Sequence, residues 1–225
     1  TLIKTIVTTE MAARVAESYD AQIMNVLTGF KYIGEKIEQF EQTGSNNFVL
    51  GFEESYGYLS GGFVRDKDAV IAATLIAEMA LYYKTKGKNL AQALHDLFER
   101  YGYYKENLIS ITMEGKDGQE QIAAMITNLR ENMPKEVNGV KIAVSEDYKL
   151  SQRVDHIAGT TEEIHLPKSN VLKFILEDKS WFVIRPSGTE PKVKIYASVV
   201  GANLEDAEVK CDDFVKAIKE VLNVK

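Results

Sequence analysis

Cysteine is nearly missing from this sequence: among 225 residues only Cys211 is present. One thiol cannot close an internal disulfide, so the chain fits a reducing compartment, the cytoplasm. A basic excess is missing too, and the net charge of −6 argues against a general nucleic-acid surface. No apolar run approaches the roughly 20 residues that span a bilayer, and no signal peptide is read at the start. The histidines, His95, His156 and His165, are scattered without metal-ligand spacing. Repeats and low-complexity tracts are lacking. What remains is an ordinary globular mixture, 45% hydrophobic and 27% charged, able to bury a core. Its length allows one large domain or two smaller ones. Residues 1–7 read as a strand already under way, so the chain is expected to be a piece of a longer polypeptide.

The first part alternates strands and helices. A strand at 2–7 leads to a helix at 9–18, capped by Thr8 or Thr9. A second helix follows Gly29, with Phe30, Ile33, Ile37 and Phe40 at helical spacing. Residues 48–52 read as a short buried strand. Asp68 then caps a helix that runs to Lys86 and stops at Gly87. With Val70, Ile71, Leu75, Ile76, Met79 and Leu81 on most of its sides, that helix is expected to be well buried. Asn89 and Gln92 have capping-box spacing for the next helix, which Gly102 follows. Residues 1–106 thus read as an α/β layer domain.

Residues 107–225 read as a small α+β domain. Strands are expected at 108–113 and 140–144, and an amphipathic helix at 117–132. A hairpin joins 171–176 to 181–184, and a half-buried antiparallel strand covers 193–199. A last helix, capped by Asn203, should bury Ala207, Cys211, Phe214, Ile218 and Val221. Residues 114–118 or 101–104 are candidates for a hinge between the two parts.

Two segments carry chemistry. Arg185-Pro186-Ser187-Gly188-Thr189-Glu190-Pro191-Lys192 is longer than a plain hairpin turn needs. Its arginine can grip phosphate bidentately, its hydroxyls can donate to phosphate oxygens, and glycine lets backbone N–H groups approach. The prolines stiffen the loop and reduce the ordering cost of binding. Such a loop suits an anion that is held rather than transformed. In Gly51-Phe52-Glu53-Glu54-Ser55-Tyr56-Gly57-Tyr58, alternation along an extended segment puts Glu53 and Ser55 on one side and Glu54 on the other. A carboxylate and a hydroxyl so placed can hold neighbouring sugar hydroxyls; a surface turn is the bland alternative.

Taken together, these segments resemble the phosphoglucomutase/phosphomannomutase family, the α-D-phosphohexomutases. Phe52-Glu53-Glu54-Ser55 is similar to that family's sugar loop and 185–191 to its R-P-S-G-T-E-P phosphate loop. Thr28-Gly29-Phe30-Lys31-Tyr32-Ile33-Gly34 and Arg65-Asp66-Lys67-Asp68-Ala69 resemble two further segments in the same order. The resemblance implies an α/β third domain with a mixed sheet and helices (1–106), then a small fourth α+β domain with an antiparallel sheet (107–225). It implies a phosphoserine, supplied by a first domain, that exchanges phosphate with a hexose phosphate through a bisphosphorylated sugar such as glucose 1,6-bisphosphate. Glu53 and Ser55 would bind the sugar. Arg185, Ser187, Gly188 and Thr189 would hold the phosphate that is not reacting. Lys31 would stabilise phosphate charge, and Arg65 would reach phosphate or pair with a carboxylate.

The serine segment of the family (T-x-S-H-N-P) and its magnesium loop (D-x-D-x-D-R) have no counterpart here. Mg2+ is therefore expected only in a full-length enzyme, no metal ligand or catalytic residue is assigned, and the chain alone is expected to be inactive. Phe52, and Tyr56-Gly57 in place of Gly-His, lean towards glucose phosphate over mannose, glucosamine or pentose phosphates. A free-standing phosphosugar-binding module and a protein-interaction domain remain the alternatives. No nucleic-acid or membrane partner is expected.

Overall fold

The computed structural model describes residues 1–113, 117–188 and 190–224. It divides into two compact units after Gly102, four residues before the boundary expected at 106. The division falls there because a long strand starting at Tyr103 is hydrogen-bonded throughout to the second unit's sheet. Of the candidate hinge segments, 114–116 lie outside the described residues. Gly102, in the other, ends the preceding helix at φ 117°.

The first unit runs β1 (Leu2–Thr5), α1 (Met11–Glu17), β2 (Ile23–Val26), α2 (Phe30–Thr43), β3 (Leu50–Glu53), β4 (Gly57–Ser60), α3 (Ala69–Thr85) and α4 (Leu90–Tyr101). Its sheet has the order β2-β1-β3-β4, with β1 parallel to both neighbours and β3 antiparallel to β4. This is the mixed sheet that was expected. Periodicity predicted α2 well: Phe30, Ile33, Ile37 and Phe40 are buried and pack with Ile3, Val26 and Leu59. Glu10 holds the cap position of α1 without a side-chain bond, while Thr9, one of the two expected caps, accepts from Met11 N–H at 3.3 Å. Thr8 is turned instead towards Thr5 and Glu54.

One expectation fails clearly. Helix α3 is capped by Asp68, which accepts from Val70 and Ile71 N–H, yet it contains no buried residue. Val70, Ile76 and Leu81 are 78%, 50% and 63% exposed. Apolarity around a helix reports the surroundings it was selected for, and within this unit nothing covers those sides.

The second unit runs β5 (Tyr103–Thr112), α5 (Gly118–Glu131), β6 (Glu136–Val137), β7 (Val140–Asp147), β8 (Gln152–Asp155), β9 (Thr160–Glu163), β10 (Leu172–Leu176), β11 (Trp181–Pro186), β12 (Lys192–Gly201) and α6 (Leu204–Val221). Its sheet is ordered β5-β12-β11-β10-β7-β8-β9, with β6 on β7, and each described pairing is antiparallel. The core joins Phe174, Phe182 and Ile195 to Ile126 of α5 and to Cys211, Phe214 and Ile218 of α6. Strand β12 is buried on both faces from Ile195 to Val199, not half-buried as its alternation suggested. It lies between two strands, with α6 on the Ile195, Ala197 and Val199 face, while Tyr196 and Ser198 stand opposite Val183 and Trp181 of β11 on the other face. Val221, expected in the core, is 37% exposed at the last turn of α6.

Candidate functional site

The phosphate-type loop joins β11 to β12, and the ladder fixes its base, with Arg185 opposite Lys194 and Pro186 opposite Val193. Ser187 N–H donates to the Lys192 carbonyl at 2.7 Å, and Lys192 N–H to the Glu190 carbonyl at 2.7 Å. Glu190 N–H reaches Ser187 Oγ at 3.3 Å, and Lys192 Nζ pairs with Glu190 at 3.2 Å. Backbone bonds thus hold the loop without using the guanidinium, and no carboxylate among the described residues pairs with Arg185. Space above Gly188 is open, since a Cβ there would meet nothing within 4 Å. The glycine is therefore not demanded by the loop's own packing; it leaves room for an incoming group. Thr189, assigned to the same task from sequence, lies outside the described residues.

Arg185, Ser187 and Gly188 face a cleft of about 480 Å³ that Gln119 of α5 and Ser169 and Asn170 also line. Sequence reasoning missed these last polar groups. They are remote in sequence, and only the β10–β11 register, Leu172 opposite Ile184, carries residues 169 and 170 alongside Pro186. Arg130 holds Asn170 through a 2.6 Å bond to its Oδ1.

The sugar-type segment is a hairpin tip, not a continuous extended stretch. Glu53 pairs with Gly57, leaving Glu54, Ser55 and Tyr56 as a three-residue turn, with Tyr56 in the left-handed region at φ 61°. Alternation therefore ends at Glu53. Ser55 is exposed and its Oγ donates to Glu54 Oε1 at 3.3 Å.

Glu53 is largely enclosed, its side chain 12% exposed, and Lys67 Nζ stands 3.9 Å from its carboxylate. Burial raises its pKa above the usual 4.5, partly offset by Lys67 and reinforced by Glu54 and Asp66. Lys67 also lies 5.2 Å over the Phe30 ring and 3.1 Å from Asp66. It was quoted from sequence only as part of a charged segment; the β4–α3 connection is what swings it onto Glu53. Gly57 makes the approach possible, because a Cβ there would lie 2.7 Å from Lys67 Cδ.

The other two candidates lie apart from these contacts. Lys31 is exposed in the first turn of α2, its ammonium 4.8 Å over the Tyr32 ring. Arg65 pairs with Glu41 and Glu38 and donates to the Gly62 carbonyl. Its backbone crosses α2 at Gly34, where a Cβ would come within 2.5 Å of the Arg65 carbonyl oxygen. Among the described residues no cluster of three or more His, Cys, Asp or Glu fits a metal ion.

The chain thus joins a mixed-sheet α/β unit that carries Glu53 on a hairpin to an antiparallel unit that carries Arg185 beside an open cleft. Residues 1–101 match the family model of the phosphoglucomutase/phosphomannomutase α/β/α domain III, and 135–217 that of the phosphoglucomutase/phosphomannomutase C-terminal domain. The chain belongs to the phosphoglucomutase/phosphomannomutase family. Phosphoglucomutases of Staphylococcus aureus are 39% identical over 214 residues (strain bovine RF122 / ET3-1) and 40% identical over 215 residues (strain USA300). Each match takes 95% of this chain, which spans only 38% of the relatives' length. In fold it is similar to the Paramecium phosphoglucomutase parafusin, with a TM-score of 0.67 at 16% identity over 99% of this chain and 37% of that one. A phosphoglucomutase/phosphomannomutase family protein of Burkholderia thailandensis gives 0.54 at 15% identity, over 98% and 37%.

Proposed function

We propose that this chain is the substrate-gripping part of a phosphoglucomutase that interconverts glucose 1-phosphate and glucose 6-phosphate through a phosphoserine and a bisphosphorylated sugar. The observation that carries the reading is the open cleft beside Arg185, Ser187 and Gly188, with a guanidinium that no described carboxylate neutralises. A phosphate there gains charge-assisted bonds from a loop already held in shape by its own backbone. Glu53 accepts from sugar hydroxyls, with Lys67 keeping it ionised against burial, and Ser55 adds a hydroxyl beside it. Lys31, near the positive end of α2, contributes electrostatic attraction for phosphate. Arg65 braces the segment that presents Lys67. Gripping the sugar and its remote phosphate supplies binding energy that positions the reacting end.

The phosphoserine, and any Mg2+ the reaction uses, belong to further domains of a longer chain, so these residues alone do not turn substrate over. The exposed apolar sides of α3 supply the docking surface for those domains. Relatives whose length lies mostly outside the match support this assignment. A lone, buried thiol suits the cytoplasm, and among the described residues no helix is long and apolar enough to cross a membrane. Calorimetric titration with glucose 1-phosphate, glucose 6-phosphate and glucose 1,6-bisphosphate tests the reading. Binding that favours the bisphosphate and disappears in Arg185→Ala supports it; equal binding of all three by native and variant chains refutes it.

A further inference from the structure

The hairpin that carries Glu53 and Ser55 is anchored from below by two hydroxyls, one at the end of β1 and one in the turn that follows it. At the end of β1 the chain turns sharply, Thr8 N–H donating to the Thr5 carbonyl at 3.1 Å. The turn brings Thr5 Oγ1 and Thr8 Oγ1 within 2.8 Å of each other. Glu54 Oε2 lies 3.0 Å from the first and 3.4 Å from the second. Thr5 is fully enclosed and Thr8 is 4% exposed. Beneath them the buried Lys4 ammonium donates to the Thr8 carbonyl and to Glu10 Oε1, both at 3.0 Å, so the turn is itself pinned.

The protons can be assigned. Each hydroxyl has one hydrogen to donate, and an ionised carboxylate only accepts. Two hydrogens must serve three oxygen–oxygen contacts. The shorter contacts put the Thr8 hydrogen on Thr5 Oγ1 and the Thr5 hydrogen on Glu54, leaving the 3.4 Å contact secondary. Glu54 passes the constraint on, because its other oxygen accepts from Ser55 Oγ at 3.3 Å. Sheet register explains the meeting: Lys4 lies opposite Phe52, so Thr5 stands level with the end of β3 where the hairpin begins.

We propose that Thr5, backed by Thr8, is a positioning residue that fixes Glu54 and through it the attitude of Ser55 and Glu53 towards a sugar. The inference rests on the sugar-binding role proposed above for Glu53 and Ser55. Neither threonine touches the sugar; both act through Glu54. Valine replaces either with nearly the same shape and no proton to give, while Thr5→Ser keeps the hydroxyl.

The test pairs amide hydrogen exchange over residues 53–57 with calorimetric titration of glucose 1,6-bisphosphate and of inorganic phosphate, on this chain. Thr5→Val should speed exchange at the hairpin tip about tenfold and weaken bisphosphate binding several-fold, the loss of one charge-assisted bond. Thr8→Val should do less, Thr5→Ser should restore both readouts, and inorganic phosphate binding should not change. If Thr5→Val fails to fold, Glu54→Ala reads the same link from the hairpin side. Unchanged exchange in Thr5→Val or Glu54→Ala overturns the inference, and so does loosened exchange with native bisphosphate affinity. A Glu53→Gln chain that binds bisphosphate like the native one refutes the sugar reading itself, independently of either threonine.

Discussion

The two units treat both apolar surface and site loops in opposite ways. The antiparallel unit closes on itself: α6 buries one face, and Phe182 is fully enclosed between Phe174 and Phe214, with ring centroids 4.8 and 6.0 Å away. The mixed-sheet unit buries α2 but leaves its most apolar helix, α3, without a buried residue. Their loops differ in the same sense. The phosphate loop is held by bonds within residues 187–192. The sugar hairpin takes its shape from Thr5, Thr8 and Lys67, which belong to other segments. One loop is held within its own residues, and the other by segments elsewhere in its own unit.

Breaking that contrast starts with the largest effect. Phe182→Ala should destabilise the antiparallel unit by about 3–5 kcal/mol, as removal of an enclosed aromatic does. Leu81→Glu, on the most apolar helix, should change the denaturation midpoint of this chain by no more than about 0.5 kcal/mol. Denaturant titration of both variants checks the pair, and a large loss from Leu81→Glu would mean that α3 is covered in this chain after all. Arg185→Ala comes next, with hexose-phosphate and inorganic-phosphate affinity both falling roughly tenfold to a hundredfold in calorimetry, the range for bonds to a charged group.

Glu53 sharpens the comparison through pH. Burial raises its pKa, so the carboxylate proposed to accept from the sugar is present above that value and lost as pH falls through it, beginning above the usual 4.5. Folding stability has the opposite sign: a raised carboxyl favours the folded state below its pKa and loses that contribution as pH rises through it. Sugar-phosphate affinity should therefore fall at the acid end, and Lys67→Met should move the fall to higher pH, while inorganic phosphate binding keeps its profile there. Affinity measured from mildly acidic to neutral pH decides this. Cys211 gives the smallest effect. Burial pushes its thiol up to about 11, so a thiol reagent at about pH 8 should modify it no faster than the chain unfolds.

What the sequence made legible follows the same division. Helices α2, α4 and α6 and the hairpin of β10 with β11 were readable because their patterns are satisfied inside their own unit. The capping box at Asn89 and the cap at Asn203 were equally local. Strands β2, β8 and β9 went unread: Ile23-Met24-Asn25-Val26 is too short to show a period, and Thr160-Thr161-Glu162-Glu163 is exposed throughout. The fate of α3 was misread because apolarity alone does not say what covers a helix. At the site, the anion loop was visible because its chemistry is contiguous. Lys67, Thr5, Thr8 and Asn170 were not, since register and a sharp turn bring them to their loops and neither leaves a mark in composition. The alternation argument for Glu53 and Ser55 does not extend past Glu53, where the hairpin turns.

The central proposal is that the cleft beside Arg185 takes the phosphate of a sugar phosphate and that Glu53 takes sugar hydroxyls. Backbone amide chemical shifts of the labelled chain, followed while glucose 1,6-bisphosphate is added, test it most directly. The account predicts shifts at residues 53–57 and at 185–188, with inorganic phosphate moving only the second group. Bisphosphate shifts missing from either group would contradict it.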